Sequence, residues 1–83
     1  MTISKLTRTY KYLTEQQSEW MKARAIELYG TMEKAARAAD MTNISFYNNI
    51  MGRHSPSVLN VNKICAALKI KRFPSHGEPI ELE

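Results

Sequence analysis

The chain has one cysteine, Cys65, in 83 residues. No intrachain disulfide can form, as suits a reducing cytosol, so packing must hold the fold. Cys65 lies between Ile64 and Ala66 in an apolar helical pattern and reads as a small buried hydrophobe. Glycine is scarce and nowhere clustered, so there is no glycine-rich loop to cradle a phosphate. The two histidines, His54 and His76, are far apart and lack companion ligands at metal spacing, so no metal is expected. Glu27 and Glu33 have no nucleophile arrangement near them. No enzyme activity, cofactor or small-molecule ligand is therefore expected. No apolar run approaches a membrane span, and no apolar stretch follows the charged start MTISKLTRTYKYL, so no signal peptide and no membrane partner are expected.

Acid is missing where base is present. From Met41 to Arg72 there are five basic residues (Arg53, Lys63, Lys69, Lys71 and Arg72) and no Asp or Glu. The first thirteen residues add Lys5, Arg8 and Lys11, again without an acid. A net charge of +4 distributed in this way favours an anionic partner such as a phosphate backbone. Hydrophobic content of 43% fits one small globular domain with a limited core.

The pattern along the chain is helical throughout. Residues 1–13 have no helical period and read as a basic arm, in which Lys5, Arg8 and Lys11 are candidates for wrapping around DNA. Thr14 with Gln17 makes a capping box, with Leu13 as a staple before it. A first helix follows, with Trp20, Ala23, Ile26 or Leu28, and Tyr29 as its apolar face, ended by Gly30. Thr31 caps a second helix on whose one face Met32, Ala35, Ala36 and Ala39 fall. After Asp40 the connection Met41-Thr42-Asn43 leads into a third helix, capped by Thr42 or Asn43 and stopped near Met51 by Gly52. Ser57 caps a fourth helix with the stripe Val58, Val61, Ile64, Cys65 and Leu68, and Ile70 lies just beyond. Residues 73–83, with Pro74, Gly77 and Pro79, form an irregular tail. Its end, Pro79-Ile80-Glu81-Leu82-Glu83, alternates apolar and acidic residues as a half-buried strand would, which could pair with a second copy. The expected fold is all-α: a compact bundle of four to five short helices over residues 14–72, between arm and tail.

The segment TMEKAARAADMTNISFYNNIMGR narrows the reading. Two short helices joined by a turn of three or four residues must cross steeply, as in a helix-turn-helix. Ala36 supplies the small residue at the crossing, and Met41 the apolar residue after the turn. Phe46 and Ile50, at i and i+4, supply the buried face of the third helix. The opposite face then exposes Asn43, Ser45 and Asn48, with Ile44 and Tyr47 beside them. These are short or planar donors and acceptors plus apolar atoms, suited to base edges in a major groove. Arg53 and His54 follow in the acid-free stretch, within reach of a phosphate.

On these residues the chain resembles the helix-turn-helix domain of phage Cro and repressor proteins, from about Leu13 to Ile70. Thr31, Ala36, Met41, Phe46 and Gly52 match the motif, and PSVLNVNKICAALKI looks like the family's last helix. The resemblance implies a sequence-specific transcriptional regulator, a phage or prophage repressor, that binds a double-stranded DNA operator as a homodimer. It implies a cytoplasmic, nucleoid-associated protein of a bacterial or phage-infected cell. It also implies that Ile44 and Tyr47 face DNA and that the backbone near Thr31 touches a phosphate. Two departures stand out: Asp40 where the family usually has glycine in the turn, and Met32 where it often has a phosphate-binding glutamine. An antitoxin or antirepressor subunit, a phage transcription activator and a DNA-bending recombination factor are the other functions this fold could serve.

Overall fold

A computed structural model describes residues 12–83. Lys5, Arg8 and Lys11, and with them most of the expected arm, lie outside the described residues. Four helices follow in order: α1 (Glu15–Tyr29), α2 (Met32–Ala38), α3 (Asn43–Ile50) and α4 (Val58–Leu68). Among the described residues the fold is all-helical apart from one isolated antiparallel bridge between Ile70 and Leu82.

Each helix begins where a hydroxyl residue can accept a free amide. Thr14, Thr31, Thr42 and Ser57 are the caps, each accepting the N–H three residues on. At α1 the box is complete: the Thr14 hydroxyl accepts from the Gln17 N–H at 3.1 Å, and Gln17 Oε1 accepts from the Thr14 N–H at 2.7 Å. Thr42, rather than Asn43, caps α3.

The helix ends are set by left-handed residues. Gly30 has φ +92° and closes α1. After α2, Asp40 adopts φ +58°, its N–H donating to the Arg37 carbonyl at 3.0 Å while the Met41 N–H donates to the Ala36 carbonyl at 2.9 Å. This pair of bonds is the Schellman motif, formed here on an aspartate in the position glycine most often takes. The same pair closes α3, with Gly52 at φ +74° donating to Asn49 and Arg53 donating to Asn48.

The core is built from one side of every helix: Met21 and Ala25 of α1, Ala35 and Ala36 of α2, Phe46 and Ile50 of α3, and Ile64, Ala67 and Leu68 of α4. Alanine at 35 and 36 leaves no side-chain bulk where α2 meets its neighbours. Two sequence expectations need correction. The apolar face of α1 was expected at Trp20, Ala23, Ile26 or Leu28, and Tyr29. The helix instead buries Gln17, Ser18, Met21 and Ala25; Trp20 and Tyr29 do pack against the core, half-buried, while Ala23 and Ile26 are exposed. Two polar residues on the inner face hide the stripe from a reading by hydrophobicity. Val58, expected to head the α4 stripe, is 79% exposed, while Ala67 is buried with Ile64 and Leu68. Cys65 is only half-buried, and its thiol pKa is pushed up by that burial and then by the nearby Glu83 carboxylate.

The packed body also extends past the expected 14–72 limits. Leu13 is fully buried in the core, Pro74 is buried, and Ile80 packs against the core. Gln17 is the anchor for this tail. Its Nε2 donates to the carbonyls of Ser75 (2.7 Å) and Glu78 (2.8 Å), and its Oε1 accepts from the Gly77 N–H (3.0 Å) as well as from Thr14. The alternating end then lies along the chain after α4, with the Lys71 N–H donating to Glu81 and the Glu83 N–H to Lys69. Its period of two thus answers an intrachain pairing, and the edge that faces Lys69–Lys71 is used within the chain.

Candidate nucleic-acid interface

The turn between α2 and α3 runs only from Ala39 to Thr42, and it decides what α3 presents. Phe46 and Ile50 point inward, at 1% and 0% exposure. Asn43, Ile44 and Ser45 are then exposed, and Tyr47 and Asn48 half-buried on the same outer side. Ile44, Tyr47 and Met51 also fall on one side of α3, but they do not form a buried stripe: Met51 is in the core, Tyr47 is half-buried and Ile44 is 75% exposed. Asn49 turns into the core, its Oδ1 accepting from Asn60 Nδ2 at 3.3 Å.

Of the eight described residues expected to contact DNA, five come together. Asn43, Ile44, Tyr47, Asn48 and Arg53 line one cleft of about 440 Å³, with Met32 and Glu33 of α2 as its other wall. The Arg53 guanidinium lies 5.3 Å over the Tyr47 ring, a cation–π contact that holds the charge against the rim. Ser45 is exposed but outside the cleft lining, with its N–H held by the Thr42 hydroxyl at 3.1 Å. Thr31 and His54 are exposed and do not line it. The Thr31 oxygen accepts from the Lys34 N–H and keeps its own proton free to donate. No side-chain hydrogen bond to another described residue occupies the amides of Asn43 or Asn48.

The charge distribution is less one-signed in space than along the chain. Lys63 reaches Asp40 at 3.6 Å and Arg72 reaches Glu78 at 2.9 Å, so two of the five cations in the acid-free stretch meet acids from outside it. Glu33 beside the cleft faces Arg37 at 3.9 Å. Among the described residues Lys22, Lys34, Arg53, Lys69 and Lys71 have no acidic partner. No group of three or more His, Cys, Asp or Glu that could hold a metal occurs among the described residues, and none of their helices is long and apolar enough to cross a membrane.

A periodicity reading missed Met32 and Glu33 as walls of this cleft. Met32 was assigned to the core face of α2 and lies at its edge, half-buried, where it serves both the core and the cleft. No family model, no curated protein and no solved structure matches this chain.

Proposed function

We propose that the protein is a sequence-specific double-stranded DNA-binding transcriptional regulator, a repressor of the phage Cro type, acting as a homodimer. The observation that carries this reading is the outer side of α3. Planar amides at Asn43 and Asn48, with no hydrogen-bond partner among the described residues, stand beside apolar Ile44 and Tyr47, on a helix fixed from behind by Phe46 and Ile50. A helix so presented can enter the major groove, with Asn43, Ile44, Ser45, Tyr47 and Asn48 toward the base edges. Thr31, Arg53 and His54 flank it as phosphate contacts, and the basic residues Lys5, Arg8 and Lys11 add charge for the backbone.

One such helix reads only a few base pairs, so two copies on one face of the DNA are needed, about 34 Å apart. Two surfaces are offered to a second copy: the start of α4, where Val58 and Leu59 are 79% and 62% exposed, and the edge of the tail that is not paired with Lys69–Lys71. A second reading, a protein-interaction module on this fold, draws on the exposure of Ile44 and on Glu33, whose charge repels phosphate. Selection of binding sites from random duplex DNA with the purified protein separates the two. A recovered consensus with inverted symmetry supports the regulator, and failure to enrich any sequence rejects it.

A further inference from the structure

Resting on the DNA-binding reading above, we infer that the half-site read by α3 is centred on A·T pairs, recognised through thymine methyl groups and adenine Hoogsteen edges. The inference rests on which groups the reading face offers and which it lacks.

In the major groove, guanine shows two acceptors, N7 and O6, and is most often read by the paired donors of an arginine or a lysine. From Asn43 to Gly52 there is no arginine or lysine. Arg53, the nearest cation on the C-terminal side, follows the end of an eight-residue helix, about 12 Å from its start. Its guanidinium shares the cleft with Asn43 and Ile44 but is stacked over Tyr47, at the place of the phosphate contact proposed above. Asp and Glu are absent from the same stretch, and the carboxylate on the cleft wall, Glu33 of α2, faces Arg37 at 3.9 Å.

What the face does offer is matched to A·T. Adenine presents an acceptor at N7 and a donor at N6, which an asparagine amide satisfies with its own donor and acceptor. Asn48 and Asn43 are amides with no competing side-chain hydrogen bond among the described residues, whereas Asn49 is buried and bonded to Asn60. Thymine presents a C5 methyl, the one apolar group in the groove. Ile44 is 75% exposed on a helix whose core needs are already met by Phe46 and Ile50, and it shares a cleft with Tyr47 and Met32. Such an exposed aliphatic side chain gains stability only when something apolar covers it, and a thymine methyl in the groove does so.

The test uses the selected consensus duplex and a series in which single thymines are replaced by uracil, which removes the methyl and leaves the hydrogen-bonding edge intact. The expected result is an A·T-rich consensus and a loss of about fourfold in affinity at one or two thymines, the size of burying one such carbon. Ile44→Ala, an exposed position whose change leaves the core intact, should bind the thymine and uracil duplexes equally. Asn48→Ala should lose preference for adenine at one position while keeping the methyl effect. A consensus centred on G·C pairs, or uracil substitution without effect at every thymine, overturns the inference while leaving specific DNA binding in place. Absence of binding to any duplex overturns the functional reading itself.

Discussion

A Cβ placed on Gly52 would lie 3.1 Å from both the backbone nitrogen and the Cβ of Leu13. The glycine that closes α3 is therefore also the floor on which the chain leading into α1 rests, and the Tyr12 N–H donates to its carbonyl at 3.2 Å. The end of the candidate reading helix and the start of the fold are one joint. Gly52→Ala is expected to destabilise the protein by about 2 kcal/mol or more, combining a left-handed alanine with contact against backbone. Gly30→Ala is the control. Gly30 has φ +92° but nothing within 4 Å of its Cβ position, so it should lose only the conformational part. Equal losses in chemical denaturation would show that the Leu13 contact adds nothing.

Gln17 fastens the tail. Gln17→Ala removes both donors that hold Ser75 and Glu78 and the acceptor for Gly77, and should lower stability by about 2 kcal/mol. The Gly77 amide should then exchange with solvent much faster, without a matching change in the core of α3. Unchanged exchange at Gly77 would mean that Ile70 and Ile80 hold the tail without it.

The same tail should respond to acid. The Glu78 carboxyl is held below its ordinary pKa, first by the hydrogen bond from the Ser75 N–H and then by Arg72. A carboxyl lowered in the folded state stabilises it above the unfolded pKa, and that contribution is lost as the pH falls through the folded value. Tail amides should therefore loosen below the ordinary carboxylate range, and Glu78→Gln should flatten that dependence. An acid response identical in the variant would assign it to another group.

Two helix ends are closed by non-glycine residues in the left-handed region, Asp40 at φ +58° and Lys69 at φ +57°. Lys69→Gly should stabilise the protein by about 1 kcal/mol, since lysine has the larger penalty there. Asp40→Gly should gain less, because aspartate tolerates this conformation and because its exposed pairing with Lys63 is lost. A melting temperature lowered by Lys69→Gly would contradict the strain argument.

Ser18 is fully buried, and its hydroxyl has no hydrogen-bond partner. Ser18→Ala removes an unsatisfied polar atom without opening a cavity, and is expected to be neutral or stabilising by up to about 1 kcal/mol. A clear destabilisation would point to a partner for the hydroxyl in solution.

The sequence alone determined the helices and their limits. Four hydroxyl caps and the glycines at 30 and 52 are local devices, satisfied by neighbours three or four residues away, so they can be read without a tertiary structure. The register of α3 was legible only in part: Phe46 and Ile50 offer one apolar face and Ile44, Tyr47 and Met51 another, and packing against the neighbouring helices buries the first and leaves Ile44 out. Tertiary structure decided what local pattern cannot express. The inner face of α1 holds Gln17 and Ser18, and a glutamine becomes a core residue only because a segment some sixty positions away supplies partners for its amide. The tail's alternation was visible, but its partner was not, because a strand's period says that one face is buried and not against what. The charge pattern changed for the same reason. Asp40 and Glu78 reach Lys63 and Arg72 only through folding, which sets distances that sequence separation leaves open.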